Sequence, residues 1–185
     1  MEELVKNFLC IFFVGFLVGC AQKIPSSQKP NPIGEFRLGH SVVVGKEMIK
    51  GPMSRKADPK KITAVVKEAV VEKLSTYRGG QYYHVAVKID AYILGRPGVP
   101  LLFSPKSALV MQITVWDDFR KSKINEKPQQ FIVLESFSVN TLIGSGLTQS
   151  AEMQLANLGA ETATQIENWI RQQHETLGWF DKRSK

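Results

Sequence analysis

The sequence predicts an α+β two-layer sandwich in the order β-α-β-β-β-α: a mostly antiparallel four-stranded sheet with two helices packed on one face. Three observations carry this. Apolar and polar side chains alternate across residues 81–94, as in a strand with one wet face. Two more alternating runs, 108–116 and 131–139, flank a charged connection. Apolar residues recur at helical spacing in two further stretches, one beginning at Asp58-Pro59 and one ending near Thr176. A sheet with a single apolar face needs one covering layer, and two amphipathic helices supply it.

Taken in order, Phe36 to Val44 (FRLGHSVVV) has strand composition and stops at Gly45. Asp58 is placed to cap a helix, with Pro59 where its missing N–H costs nothing. Ile62, Val65, Val66, Ala69, Val70 and Leu74 then share one stripe, and Gly79-Gly80 is the expected stop. In the long strand Gln81–Leu94, Tyr83, Val85, Val87, Ile89, Ala91 and Ile93 are expected inward. Tyr82, His84, Lys88, Asp90 and Tyr92 are expected on the wet face. Leu109, Met111, Ile113 and Val115 point inward from the next strand, and Phe131, Val133, Phe137 and Val139 from the last. The segment Asp117 to Pro128 joins these two as a hairpin connection. Thr148 or Ser150 caps the second helix, whose stripe is Leu155, Leu158, Thr162, Ile166, Trp169 and Ile170. Gly178 ends it, and Trp179-Phe180 folds back onto the core. The first strand, helix and second strand can form one right-handed crossover.

Ahead of this domain, residues 17–20 read Leu-Val-Gly-Cys at the end of an apolar run from Phe8. That is a lipobox. The Cys20 thiolate is the nucleophile thioether formation needs, and small Gly19 lets a peptidase reach the bond to be cut. Phe8 to Val18 suits a signal peptide and is too short to span a bilayer. Residues 1–19 are therefore read as a lipoprotein signal peptide, cut after Gly19, with Cys20 lipidated. Residues 20–33 form a Pro-rich tether, 34–180 the single domain, and 181–185 a basic tail. At about 3 Å per residue the tether reaches up to roughly 40 Å from a membrane. Cys10 leaves with the signal, so no intramolecular disulfide is available in an oxidising compartment and an ordinary core must hold the domain.

The whole chain carries +7. Removing Lys6, Glu2 and Glu3 with the signal leaves 23 basic and 15 acidic residues, or +8. The basic residues cluster at Arg55-Lys56, Lys60-Lys61, Arg120 to Lys127 and Lys182-Arg183-Lys185. For a chain exported to the periplasm, nucleic acid is not the expected partner. Anionic headgroups, lipopolysaccharide phosphates and acidic proteins are, unless these are simply solvated loops.

A search for chemistry returns little. His40, His84 and His174 lie on different elements without metal-ligand spacing, so no metal or cofactor is expected. Asp117-Asp118 reads as a strand end. Gly144, Ser145 and Gly146 precede the last helix, where free amides can receive an anion, but the dinucleotide and phosphate-loop patterns are both incomplete there. The segment 95–105 is more informative. Its prolines forbid a regular strand, yet Leu101, Leu102 and Phe103 are bulky and apolar. It either folds back over the core or presents an apolar patch to a partner. Tyr82, His84 and Tyr92 on the wet face form a second candidate, or are ordinary cross-strand pairs.

With LVGC at 17–20, IDAYILG at 89–95, VMQITVWDD at 110–118 and IGSGLTQSAEMQLANLGAETATQIENWI at 143–170, the chain resembles small lipoproteins of Gram-negative bacteria that have no established activity. The resemblance covers most of the mature chain but includes no specific functional motif, so no site residue is carried over. It implies that Ala21, rather than Asp, favours sorting to the outer membrane. The topology is also similar to the N-terminal domain of TolB, the LpoB activators of cell-wall synthases and the lipopolysaccharide-assembly lipoprotein LptE, which implies binding rather than catalysis. The Gly-Phe-x-Leu-Arg-Gly-like stretch expected after the lipidated cysteine of LptE is absent; AQKIPSSQ stands there.

The expectation is thus a non-enzymatic, lipid-anchored module at the periplasmic side of the outer membrane. It would bind an envelope protein through Leu101, Leu102, Phe103, Tyr82 and Tyr92. The alternative is a binder of an anionic envelope component, lipopolysaccharide or cell wall, through Arg120, Lys121, Lys123 and Gly144, Ser145 and Gly146. No nucleophile, base and orienting group form a set.

Overall fold

The computed structural model describes residues 30–95, 107–135 and 151–183. Strands β1 (Phe36–Val44) and β2 (Ile49–Lys50), helix α1 (Pro59–Leu74), strands β3 (Gln81–Ile93), β4 (Ala108–Asp117), β5 (Ser122–Lys123) and β6 (Gln129–Leu134), and helix α2 (Ala151–Leu177) follow in that order. The expected sandwich is present, with six strands among the described residues in place of four. β1 and then β2 run along one side of β3, both parallel to it, while β4 runs antiparallel along the other side. β5 and β6 both pair antiparallel with the far side of β4. Each outer strand is therefore split in two, and pieces of two residues are too short to announce themselves by alternation. The parallel β1–β3 pair needs a crossover, which α1 supplies.

The inward positions of β3 and β4 form the floor of the core. Tyr83, Val85, Val87, Ile89, Leu109, Met111, Ile113 and Val115 are all buried there, and Val133 of β6 joins them. Ile62, Val66, Val70 and Leu74 of α1 and Leu155, Leu158, Ile166, Trp169 and Ile170 of α2 close the core from above. Asp58 caps α1 as expected, its carboxylate accepting from the Lys60 N–H at 2.9 Å. Gly159 is what lets the helices approach. A Cβ there would stand 3.0 Å from Val65 Cγ1 and 3.3 Å from the Val65 carbonyl oxygen.

Three expectations are corrected. The first is that Gly79-Gly80 stops α1. The helix ends at Leu74, where the Ser75 N–H donates to the Val71 carbonyl and the Thr76 hydroxyl to the Lys73 carbonyl. Tyr77 then turns into the core. Gly79 serves another purpose: its N–H donates to the Phe36 carbonyl, and any side chain there would strike the backbone at Glu35. The second is the unbroken alternation of the long strand. The register shifts between Ile89 and Ala91, so Tyr92 and Leu94 point inward while Ala91 and Ile93 lie half-buried.

The third concerns the ends of the domain. Ile33, assigned to the tether, is fully packed, and Asp181–Arg183, assigned to the tail, fold back on the sheet. Phe180 and Trp179 close onto the core as expected. Phe180 packs edge-on to Phe36 and Tyr83 at 5.1 and 4.8 Å between ring centres. Phe137, Val139, Thr148 and Ser150 lie outside the described residues.

Candidate binding surfaces

Two surfaces concentrate exposed side chains that the fold does not require. The first is the sheet face turned away from the helices. Register places Val42 opposite Ala86 and Ala86 opposite Thr114, and likewise Val110 opposite Ile132 and Ala108 opposite Leu134. Residues directly opposite share a face, so these belong together. Val42, Val44, Tyr82, Trp116, Ile132 and Leu134 are exposed on it, Ile132 to 64%. Between the apolar flanks runs a polar strip. Lys88 Nζ pairs with Asp90 at 2.6 Å and Gln112 donates to the other Asp90 oxygen at 2.7 Å. The hydrogen bond from Lys88 holds the Asp90 carboxyl below the usual range.

At one end of this face two histidines meet. His40 stacks on His84 with 5.0 Å between ring centres, and the His40 backbone N–H donates to His84 Nδ1 at 2.9 Å. With Nδ1 accepting, the ring proton sits on Nε2 and points at Asp118 Oδ1, 3.2 Å away. Lys121, first, and His84, second, hold the Asp118 carboxyl low. The sequence separates these groups onto different elements; the β1–β3 register brings His40 to His84, and the β3–β4 pairing brings Asp118.

The second surface is the end of the domain at the root of its N-terminal segment, around Asn31 to Ile33. Arg171 of α2 donates to the carbonyls of Asn31 and Pro32 at 3.0 and 3.3 Å, and the Glu35 N–H donates to the Phe180 carbonyl at 2.8 Å. The same Arg171 donates to the Tyr77 hydroxyl, which itself donates to Glu167; Lys73 pairs with Glu167 at 3.0 Å. Burial, first, and the bond to Glu167, second, push the Tyr77 phenol up to about 12.

Beside this root opens a cleft of about 420 Å³ lined by Tyr83, Phe119, Arg120, Trp179, Lys182 and Arg183, among others. Buried Asp117 organises it. Its Oδ1 accepts the Phe119 and Arg120 N–H groups at 2.9 and 3.0 Å, holding the β4–β5 turn, and its Oδ2 pairs with Arg183. The Arg183 guanidinium lies 4.8 Å from the centre of the Phe119 ring. Phe119 itself is 76% exposed.

Of the residues singled out from sequence, Tyr82 lies on the bare face, where Arg37 stacks over it at 5.4 Å. Tyr92 does not: it is 4% exposed, its hydroxyl accepting from the Ala57 N–H, because the bulge turned it inward. Arg120, Lys121 and Lys123 are all exposed around the β4–β5 turn, and Arg120 lines the cleft. Cys20, Leu101, Leu102, Phe103, Gly144, Ser145 and Gly146 lie outside the described residues. Sequence reasoning missed Phe119 and the apolar flanks of the bare face, and counted Arg183 only in the basic tail. A lone aromatic inside Asp-Asp-Phe-Arg-Lys was the available signal for the first. Among the described residues no helix is long and apolar enough to cross a membrane.

No protein-family model matches the chain, and no curated protein matches it. Among solved structures, it is similar to a Xanthomonas campestris protein of a family of unknown function, DUF330 (15% identity, TM-score 0.47, 82% of this chain and 94% of the other). It is also similar to a Caulobacter crescentus protein taken to be a lipoprotein (11%, 0.37, 71% and 88%) and to a minor lipoprotein of Acinetobacter baumannii (13%, 0.30, 73% and 94%). These likenesses are remote.

Proposed function

We propose that this chain is a lipid-anchored protein of the bacterial envelope. It faces the periplasm from the outer membrane through lipidated Cys20 and works without catalysis, by binding a protein partner. The observation that carries the reading is the bare sheet face. A two-layer sandwich leaves one side of its sheet to solvent, and a side with no further role is ordinarily polar. Here Val42 and Val44 at one edge and Ile132 and Leu134 at the other are exposed, while the centre keeps Lys88, Asp90 and Gln112. Apolar flanks around a polar strip suit a partner that must recognise register as well as bury area.

The test is photocrosslinking in cells. A photoreactive residue replaces Val42 or Ile132 on the face, Glu72 on the outer side of α1 as a control, or Phe103 in the apolar segment. A discrete adduct from Val42 and Ile132 but not from Glu72 is expected. An adduct from Phe103 alone would move the interface to residues 96–106. Absence of any adduct from all four positions would overturn the reading.

A further inference from the structure

We infer that the tether-root end of the domain is a second membrane contact, built to lie on the headgroups of an anionic phospholipid bilayer. The inference rests on the lipid-anchor reading and adds to it an orientation and a surface. The root is fixed: Arg171 holds the carbonyls of Asn31 and Pro32, so the chain leaves the domain at a defined place. Thirteen residues, Cys20 to Pro32, separate that place from the lipid. At about 3 Å per residue that is a reach of no more than roughly 40 Å. The end of the domain nearest the bilayer is therefore the end carrying Ile33, and the bilayer is present there at high effective concentration.

That end has the chemistry of an interfacial contact. Phe119 stands out from the β4–β5 turn, and Arg120 and Lys121 beside it are exposed, their side chains 69% and 72% so. Lys123 and Lys182 are exposed on either side, and Arg37 and Arg78 lie on the adjoining rim. The acidic residues of the same end are mostly engaged. Asp117 is buried against Arg183, Asp118 is shared by Lys121 and His84, and the Glu35 carboxylate accepts the Gly80 N–H at 2.7 Å. Asp181 remains largely exposed, 3.6 Å from His174, and Glu175 in the last turn of α2 is exposed as well. An exposed aromatic ringed by lysine and arginine is how a soluble domain reaches the boundary between headgroups and acyl chains while its cations meet lipid phosphates. Charge complementarity and the place where the tether ends point to the same occupant.

The test uses the chain from residue 20 with Cys20→Ser, which keeps every described residue and removes the lipid. Its sedimentation with vesicles of phosphatidylcholine containing one third phosphatidylglycerol is compared with that on phosphatidylcholine alone, at low and high salt. Binding to the anionic vesicles, lost on neutral ones and at high salt, is expected. Each basic residue removed near such a surface weakens binding about fivefold, so Arg120→Gln/Lys123→Gln/Lys182→Gln should bind roughly a hundredfold less well. The control Lys60→Gln/Lys61→Gln/Lys67→Gln, equal in charge but on α1, should bind like the parent. Equal loss in both triple variants, equal binding to neutral vesicles, or no binding at low salt would overturn the proposal. So would preference for purified lipopolysaccharide over the phospholipid. Palmitate labelling of the complete chain in cells, with and without Cys20→Ser, tests the anchor separately. A labelled chain whose unlipidated form ignores anionic vesicles removes the surface and leaves the anchor.

Discussion

The two faces of the sheet are made from the same strands, yet they are built on different terms. On the covered face, eight consecutive inward positions of β3 and β4 are at most 1% exposed and all are apolar except for the Tyr83 hydroxyl. That hydroxyl donates to Gln81 and lies near Arg183. On the bare face, exposed aliphatic residues sit on the two outer strands, Tyr82 and Trp116 lie at one end of the two middle ones, and Lys88, Asp90 and Gln112 hold their centre. A protein that needed only solubility would put its polar residues wherever water reaches. The covered face is shaped by packing; the bare face is where the proposed partner would dock.

Matched truncations test this most directly. Ile113→Ala on the covered face should cost about 2–5 kcal/mol, from lost transfer energy plus the cavity, read as a shift of the urea midpoint. Next, Gly159→Leu should cost about 2–3 kcal/mol, because the helices that cover the sheet meet at Val65 with no room for a side chain. An unchanged midpoint would mean the covering layer is looser than its contacts imply. Tyr77→Phe should cost about 1–2 kcal/mol at neutral pH, and it should also change the alkaline limb. The folded phenol keeps its proton to about pH 12 where the unfolded one loses it near 10, so its stabilisation is complete below pH 10 and is lost as pH rises through 12. The variant should lack that component of the decline, and a superimposable pH profile would show the phenol to be unperturbed. Smallest of all, Ile132→Ala on the bare face should change stability by less than about 0.5 kcal/mol. A loss equal to that of Ile113→Ala would erase the distinction between the faces.

The covered face was also the more legible in sequence, for a physical reason. Burial on one side of a strand or helix writes itself at a fixed period, and Tyr83 to Ile89, Leu109 to Val115 and the α2 stripe from Leu155 to Ile170 are where the alternation and spacing placed them. Asp58-Pro59 worked because a cap is a local device. Legibility ended where a distant segment decides the local outcome. The bulge at Ile89/Ala91 turned Tyr92 inward against its own alternation, and Gly79 answers to the backbone of Glu35 rather than to the helix before it. The candidate surfaces were least legible. Arg120, Lys121 and Lys123 were found as one charge run and Arg183 in another, but only the C-terminal fold-back brings Arg183 onto Phe119.

Phe180 lies in the last of the described segments, and it fills the core against Phe36 from the first. The hydrophobic interior is therefore incomplete at every stage of synthesis until the residues around 180 have emerged. On the proposed lipid-anchor reading the chain is exported from its N-terminus, so the plug that closes its core would be among the last parts of the domain to cross.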